Sequence, residues 1–201
     1  MYVSWRLTPI LRQFPYATVH DMTFSILKKF NPSQLSSPSR IGVAFSDRPL
    51  EARYQFEFYR GLFAATGGGV RICPELFTAP GARRGRVDFF IPEKKWGIEL
   101  TREGSRLSEH SSRFGPGCKY GAWLDSNDMV DYMILDCRTE TPKSASPRNC
   151  FLPSKFPRMT EASFLDIRNL FHAVFEDNFC RLTILNNMLQ KVGESIGLLE
   201  G

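Results

Sequence analysis

A chain of 201 residues with 42% hydrophobic and 13% aromatic residues can bury the core of one domain, or of one domain with an appendage. Its net charge of +5 is compatible with a polyanionic partner without requiring one, and no stretch nears the roughly 18 apolar residues of a membrane span. Five scattered cysteines (Cys73, Cys118, Cys137, Cys150 and Cys180), with no CxxC spacing, argue against a disulfide framework or a zinc site and for free thiols in a reducing compartment.

Arg6 and Arg12 interrupt the first segment, so no signal peptide is expected, and no internal repeat is visible. "TVHDMTFSILKKF" reads as a short helix capped by Thr18 or Asp21, and "NPSQLSSPSR" as a polar connection. Residues 1–45 are therefore expected to be an N-terminal extension. "SDRPLEARYQFEFYRGLFAATGGG" is a helix, with Pro49 in its first turn, Ser46 or Asp47 near the cap and the run Gly67–Gly69 ending it. "VRICPEL" follows as a short strand. "GRVDFFI" and "KWGIEL" are two strands joined by the hairpin-length "PEKK".

"SRLSEHSSRF" reads as a helix broken by "GPG" at 115–117, and "KYGAWL" resumes it; "VDYMILDCR" is a buried strand. Residues 139–158 form a Pro-rich surface loop with room for one edge strand. "NLFHAVF" and "CRLTILN" suggest two strands around "EDN", although residues 161–191 also carry helical periodicity. This order predicts an α/β sandwich around a central mixed sheet. The domain spans 46–201, with a core at 46–140 and an appendage of strands or helix at 141–201.

Two of the apolar strands each hold an acid, Asp88 and Glu99. A buried carboxylate is costly unless it is paired or bound to a cation. Side-chain alternation puts Asp88 with Arg86 and Phe90, and Glu99 with Gly97 and Thr101. As hairpin neighbours the two acids can project from one face within about 6 Å, where Mg²⁺ or Mn²⁺ would relieve their repulsion. Gly97 leaves room there for a ligand or a backbone. The plain alternative is a salt bridge to Arg86 or Arg102.

At 100° per residue, Glu51 falls between Phe58 and Leu62 on the core side of its helix. A first-turn acid stabilised by the helix N-terminus is the competing reading. Arg106, His110 and Arg113 share one face of the next helix, which suits a phosphate backbone or is simply a solvated charged face.

A helix Glu, strand Asp and Glu, and a following basic helix resemble the PD-(D/E)xK, or restriction-endonuclease-like, nucleases. The strings "YQFEFYR", "GRVDFFIPEKKWGIELTREGSRLSEHSSRFGPGCKYGAWL" and "DYMILDCRTETP" are similar to the nuclease-like C-terminal domains of Crinkler-type effectors of fungi and oomycetes. The similarity covers residues 50–142.

The resemblance implies a restriction-endonuclease-like sandwich in which Glu51, Asp88 and Glu99 hold Mg²⁺ or Mn²⁺. It implies phosphodiester hydrolysis of nucleic acid, DNA ahead of RNA, in an intracellular setting such as a host nucleus, with no membrane partner. The family's lysine position is Thr101 here, and Arg102 points to the opposite face. A migrated basic group from His110, Arg113 or Lys119, supported by Tyr120, would have to replace it. Arg106, Arg113, Lys119 and Tyr120 are the expected nucleic-acid contacts. No GxxxxGK[ST] loop is present, so a nucleotide-binding module would lie on a separate chain or in a preceding region. A catalytically inactive nucleic-acid binder and a protein-interaction scaffold are the alternatives.

Overall fold

The computed structural model describes residues 14–36, 39–41, 44–46, 49–68, 73–77, 86–115, 118–145 and 169–199. Seven strands form one mixed sheet in the order β3 (Cys73–Phe77), β4 (Arg86–Ile91), β5 (Trp96–Arg102), β6 (Asp131–Arg138), β7 (Leu170–Glu176), β8 (Arg181–Asn186) and β9 (Ile196–Gly197). The two outer groups are antiparallel, whereas β5, β6 and β7 run parallel, with Thr101 level with Asp136 and Asp136 level with His172. β1 (Ser39–Ile41) and β2 (Ala44–Ser46) pair as a separate hairpin that was not expected from the sequence. The protein is thus α/β, with helices against both faces of the sheet.

One face is covered by α1 (Val19–Leu27), α2 (Pro32–Ser36) and α3 (Glu51–Thr66). Their Met22, Ile26, Leu35, Tyr54, Phe58 and Leu62 share a core with Phe89, Ile98, Leu100, Met133, Leu135 and Phe175 of the sheet. The other face carries α4 (Leu107–Ser112) and α5 (Gly121–Asp125), where Phe114, Tyr120 and Trp123 pack on Val87, Phe90, Ile134 and Leu170. β7, β8 and β9 continue the central sheet beyond β6, and α1 is buried in the main core.

Local chemistry explains the element ends. Thr18 caps α1, its hydroxyl accepting the Asp21 N–H. The span "PSQLS", expected as connection, forms the short helix α2 because Pro32 suits a first turn and Leu35 is buried. α3 begins at Glu51 after Leu50, which offers no side-chain cap, so Ser46 does not cap it and lies in β2 instead. Gly67 at φ 61° ends α3 as a left-handed cap. Residues 170–176 and 181–186 are strands around a turn and not helix: the buried run of β7 alternates between two covered faces. Asp47, residues 70–72, Pro116 and Gly117, Cys150 and any edge strand within 146–158 lie outside the described residues. Cys118, Cys137 and Cys180 are free thiols.

Two contacts fix α3 against the N-terminal helices. Glu57, fully buried, accepts the Asn31 N–H at 2.7 Å and is paired with Arg60, which also donates to the Lys29 carbonyl. At Gly61 the two helices touch: an added Cβ would lie 2.9 Å from Ile26 Cγ2 and 3.0 Å from the Ile26 carbonyl oxygen. Gly61→Ala gains about 1 kcal/mol of helix propensity but must push α1 away, so a net loss of about 1–2 kcal/mol is expected in chemical denaturation.

Candidate functional site

The β4–β5 ladder ends at the pair Phe89 and Ile98. One residue beyond it the Asp88 side chain replaces the backbone partner, its Oδ2 accepting the Leu100 N–H at 2.7 Å. Burial, then the charge of Glu99 and, more weakly, that of Glu51 raise the Asp88 carboxyl to about 7, against the opposing pull of Leu100 and His110. Glu51, at the start of α3, is half-buried, with Gln55 Nε2 3.5 Å from its Oε1. The three acids singled out in the sequence therefore share one electrostatic field. Among the described residues, no three His, Cys, Asp or Glu side chains are assembled as a group able to hold one metal ion.

Glu99 is the hub of the site. It is 1% exposed and accepts from His110 Nδ1 at 2.7 Å, from Arg113 Nη1 and from Tyr120 Oη at 3.3 Å. The ion-pair alternative named Arg86 or Arg102, but the arginine that pairs with Glu99 is Arg113, from the segment after α4. An ionised Glu99 can only accept, so His110 Nδ1 donates to it, with Arg113 Nη1 also 3.3 Å from that nitrogen. Burial and the neighbouring Glu99 raise the Tyr120 phenol well above its ordinary value. The phenol thus stays protonated and donates.

The expected basic face is split. Arg106 lies outside α4 as its N-cap, at φ 49°, and is exposed, as is Lys119. His110, Arg113 and Tyr120 turn inward to Glu99 instead of toward solvent. Gly97 does not open space for a ligand: the Met129 thioether fills it, 2.7–2.8 Å from where a Cβ would stand.

A second polar cluster lies on the same face at the carboxyl ends of the parallel strands. Thr101, the residue at the resemblance's lysine position, donates to Asp136 Oδ1 at 3.1 Å. Asp136, fully buried, also accepts the Gly104 N–H at 2.8 Å, Arg138 Nη1 at 2.8 Å and His172 Nδ1 at 3.0 Å. Burial alone would raise its carboxyl, but the bonds from His172, Gly104 and Arg138 outweigh it and hold the carboxyl below its usual range. Gly104 is required here: its φ is 71°, and a Cβ would stand 2.9 Å from Arg138 Nη1.

Asp136, Arg138 and His172 were not singled out as candidate site residues. The signal that marked Asp88 and Glu99, a polar residue inside an apolar strand, is equally present in "YMILDC" and "LFHAVF". What joins them is a register spanning 36 residues, which no local pattern contains.

No protein family, no curated protein and no solved structure matches the chain. No described helix is long and apolar enough to cross a membrane.

Proposed function

We propose that the chain is a nuclease-like domain of the restriction-endonuclease-like kind, related to Crinkler-type effector domains, which binds nucleic acid and hydrolyses phosphodiester bonds. The observation that carries this reading is Asp88, bound through Oδ2 to the Leu100 N–H, its carboxyl raised to about 7 by burial first and then by the charges of Glu99 and, more weakly, Glu51. A divalent cation is the group that relieves such crowding, and all-oxygen ligands suit Mg²⁺ or Mn²⁺. Leu100 engages Asp88 through Oδ2, and the Glu51 charge acts on the same carboxyl. Asp88 and Glu51 would hold the ion, with Glu99 joining as Arg113 gives way. When bound, the ion would supply a water of lowered pKa and neutralise charge on the phosphate.

The chain's own residues do the rest. Glu99 orients His110 through Nδ1, so that Nε2 can take a proton from an attacking water. Arg113, paired with Glu99 while no ion is bound, would supply a positive charge beside the phosphate once released. Arg106 and Lys119, both exposed, would steer the polyanion. A host nucleus suits an effector that acts on DNA.

The test is cleavage of labelled DNA and RNA oligonucleotides in Mg²⁺, Mn²⁺ or EDTA. Cleavage should need the ion and vanish in Asp88→Ala with the fold intact. Equal cutting by wild type and Asp88→Ala would count against the reading. A second reading, a nucleic-acid binder without cleavage, is favoured by one observation: Glu99 is already neutralised by Arg113. It predicts salt-dependent binding with no cutting in any metal.

A further inference from the structure

A helix laid on a sheet normally turns charged residues outward. α3 does not. Its inward residues Tyr54, Phe58 and Leu62 are fully buried, whereas Phe56, Tyr59 and Phe63 face solvent, 61%, 43% and 56% exposed. Among the described residues no other aromatic side chain is exposed. Spaced i, i+3 and i+7, the three fall within about 60° of one another around the helix. They form a single aromatic stripe, the kind of surface that marks an interaction site.

Both ends of the stripe are shaped. A cleft of about 330 Å³ opens beside Phe56, lined also by Gln34, Leu50, Ala52, Arg53 and Glu57, with room for an anchoring side chain. At the other end the Phe63 ring lies against Gly68, where a Cβ would stand 2.8 Å from Cζ. A ring held in place beforehand loses little freedom on contact. The rim is charged on one side. Arg53 and Arg60 follow that edge, and Arg60 donates to the Lys29 carbonyl, which brings Lys28 and Lys29 alongside. Both lysines are exposed, and no ion pair among the described residues includes them. The acid beside them, Glu57, is 1% exposed and already paired with Arg60. The opposite edge carries the neutral Gln55. A second copy of the chain is therefore a poor match: antiparallel α3 helices would set basic rim against basic rim, and parallel ones would set it against Gln55. An acidic partner is complementary.

We propose that the outward face of α3 docks a partner protein through an amphipathic helix: its apolar side chains pack on Phe56, Tyr59 and Phe63, one of them fills the cleft beside Phe56, and acidic residues along one edge meet Lys28 and Lys29. This surface lies across the sheet from α4 and Tyr120, so the docking is separate from the nuclease reading and does not rest on it.

The test is selection on the full chain from a phage-displayed library of random peptides about 16 residues long, roughly four turns of helix. Enriched sequences should carry apolar residues at i, i+3 or i+4, and i+7, with Asp or Glu along one edge. The tightest peptide should bind Phe56→Gln/Phe63→Gln at least about 10-fold more weakly. It should bind Lys28→Glu/Lys29→Glu about 3–10-fold more weakly, with a flatter salt dependence. Met188→Gln, at an exposed apolar position beyond β8, should bind as wild type does. All these positions are exposed, so the urea midpoints of the variants should match that of wild type.

No enrichment, or equal peptide binding by wild type and Phe56→Gln/Phe63→Gln, overturns the proposal. So does a wild-type dimer in sedimentation equilibrium that this variant loses, because a second copy then covers the face. Binding of oligo(dT) or of phosphatidylserine vesicles that depends on Phe56 and Phe63, with no peptide selected, overturns it as well. Oligonucleotide cleavage should be the same in wild type and Phe56→Gln/Phe63→Gln, so a failure to cut bears on the nuclease reading alone.

Discussion

Glu99→Ala is expected to lower the unfolding free energy by about 3–5 kcal/mol, the usual cost of removing one partner of a buried ion pair. Against a total of about 5–15 kcal/mol for a domain, that is a large fraction. The cost comes from what remains: Arg113, 16% exposed, loses its buried counter-charge, and His110 and Tyr120 lose their acceptor together. Urea denaturation of Glu99→Ala and of the double variant Glu99→Ala/Arg113→Met separates these terms. The double variant should regain part of the loss, because no unpaired charge is left behind. If both unfold at the same urea concentration, the stranded guanidinium is not the source of the cost. Cleavage should fall in both variants, since neither holds the His110 ring in place; a His110 nitrogen spectrum that still shows a single Nδ1–H tautomer in Glu99→Ala would contradict that.

Asp88→Asn should do the opposite to stability. The folded carboxyl titrates at about 7, against 3.8 for an ordinary one, chiefly because of burial. Between those values the folded protein binds a proton that the unfolded chain does not, so stability falls as pH rises from about 4 to about 7 and is level above. Asparagine keeps an oxygen for the Leu100 N–H without the charge. Asp88→Asn should therefore match wild type near pH 4 and exceed it by roughly 2–4 kcal/mol at pH 8.

Asp136, whose carboxyl is depressed, contributes in the other sense. Its stabilisation is lost as pH falls below the ordinary carboxylate range, and it is common to both proteins, so the difference between them isolates Asp88. Mg²⁺ at pH 8 should raise the melting temperature of wild type and leave that of Asp88→Asn unchanged. Parallel stability curves for the two proteins from pH 4 to 8 would rule out the raised carboxyl. A metal-induced rise in Asp88→Asn would move the cation elsewhere.

Local pattern determined much of this protein. The dense apolar run "VDYMILDC" specified a strand, because side-chain alternation and burial on both faces are properties of a few consecutive residues, whereas "NLFHAVF" left a helix open and only the sheet made it β7. The Gly67 stop, the Thr18 cap and the 92–95 turn were equally legible, each depending on one residue's conformational preference. Asp88, Glu99 and Glu51 could be singled out because an acid inside an apolar pattern conflicts with its own setting, and a single sequence displays that conflict.

Where those acids find their partners was decided only by the tertiary structure. Helical spacing put His110 and Arg113 on one face, but whether that face looks to solvent or to Glu99 depends on how α4 docks after the turn at 103–106, where Glu103, Gly104 and Arg106 all take positive φ. The Asp136 cluster joins Thr101, Gly104, Arg138 and His172 across three parallel strands. Parallel register is fixed by crossovers of some thirty residues, a scale at which no local periodicity carries information. Charge and hydrophobicity act at a residue, so the sequence could say which side chains need a partner; pairing is a matter of distance in three dimensions, and the packed sheet alone assigns Glu99 to Arg113 and Asp136 to His172.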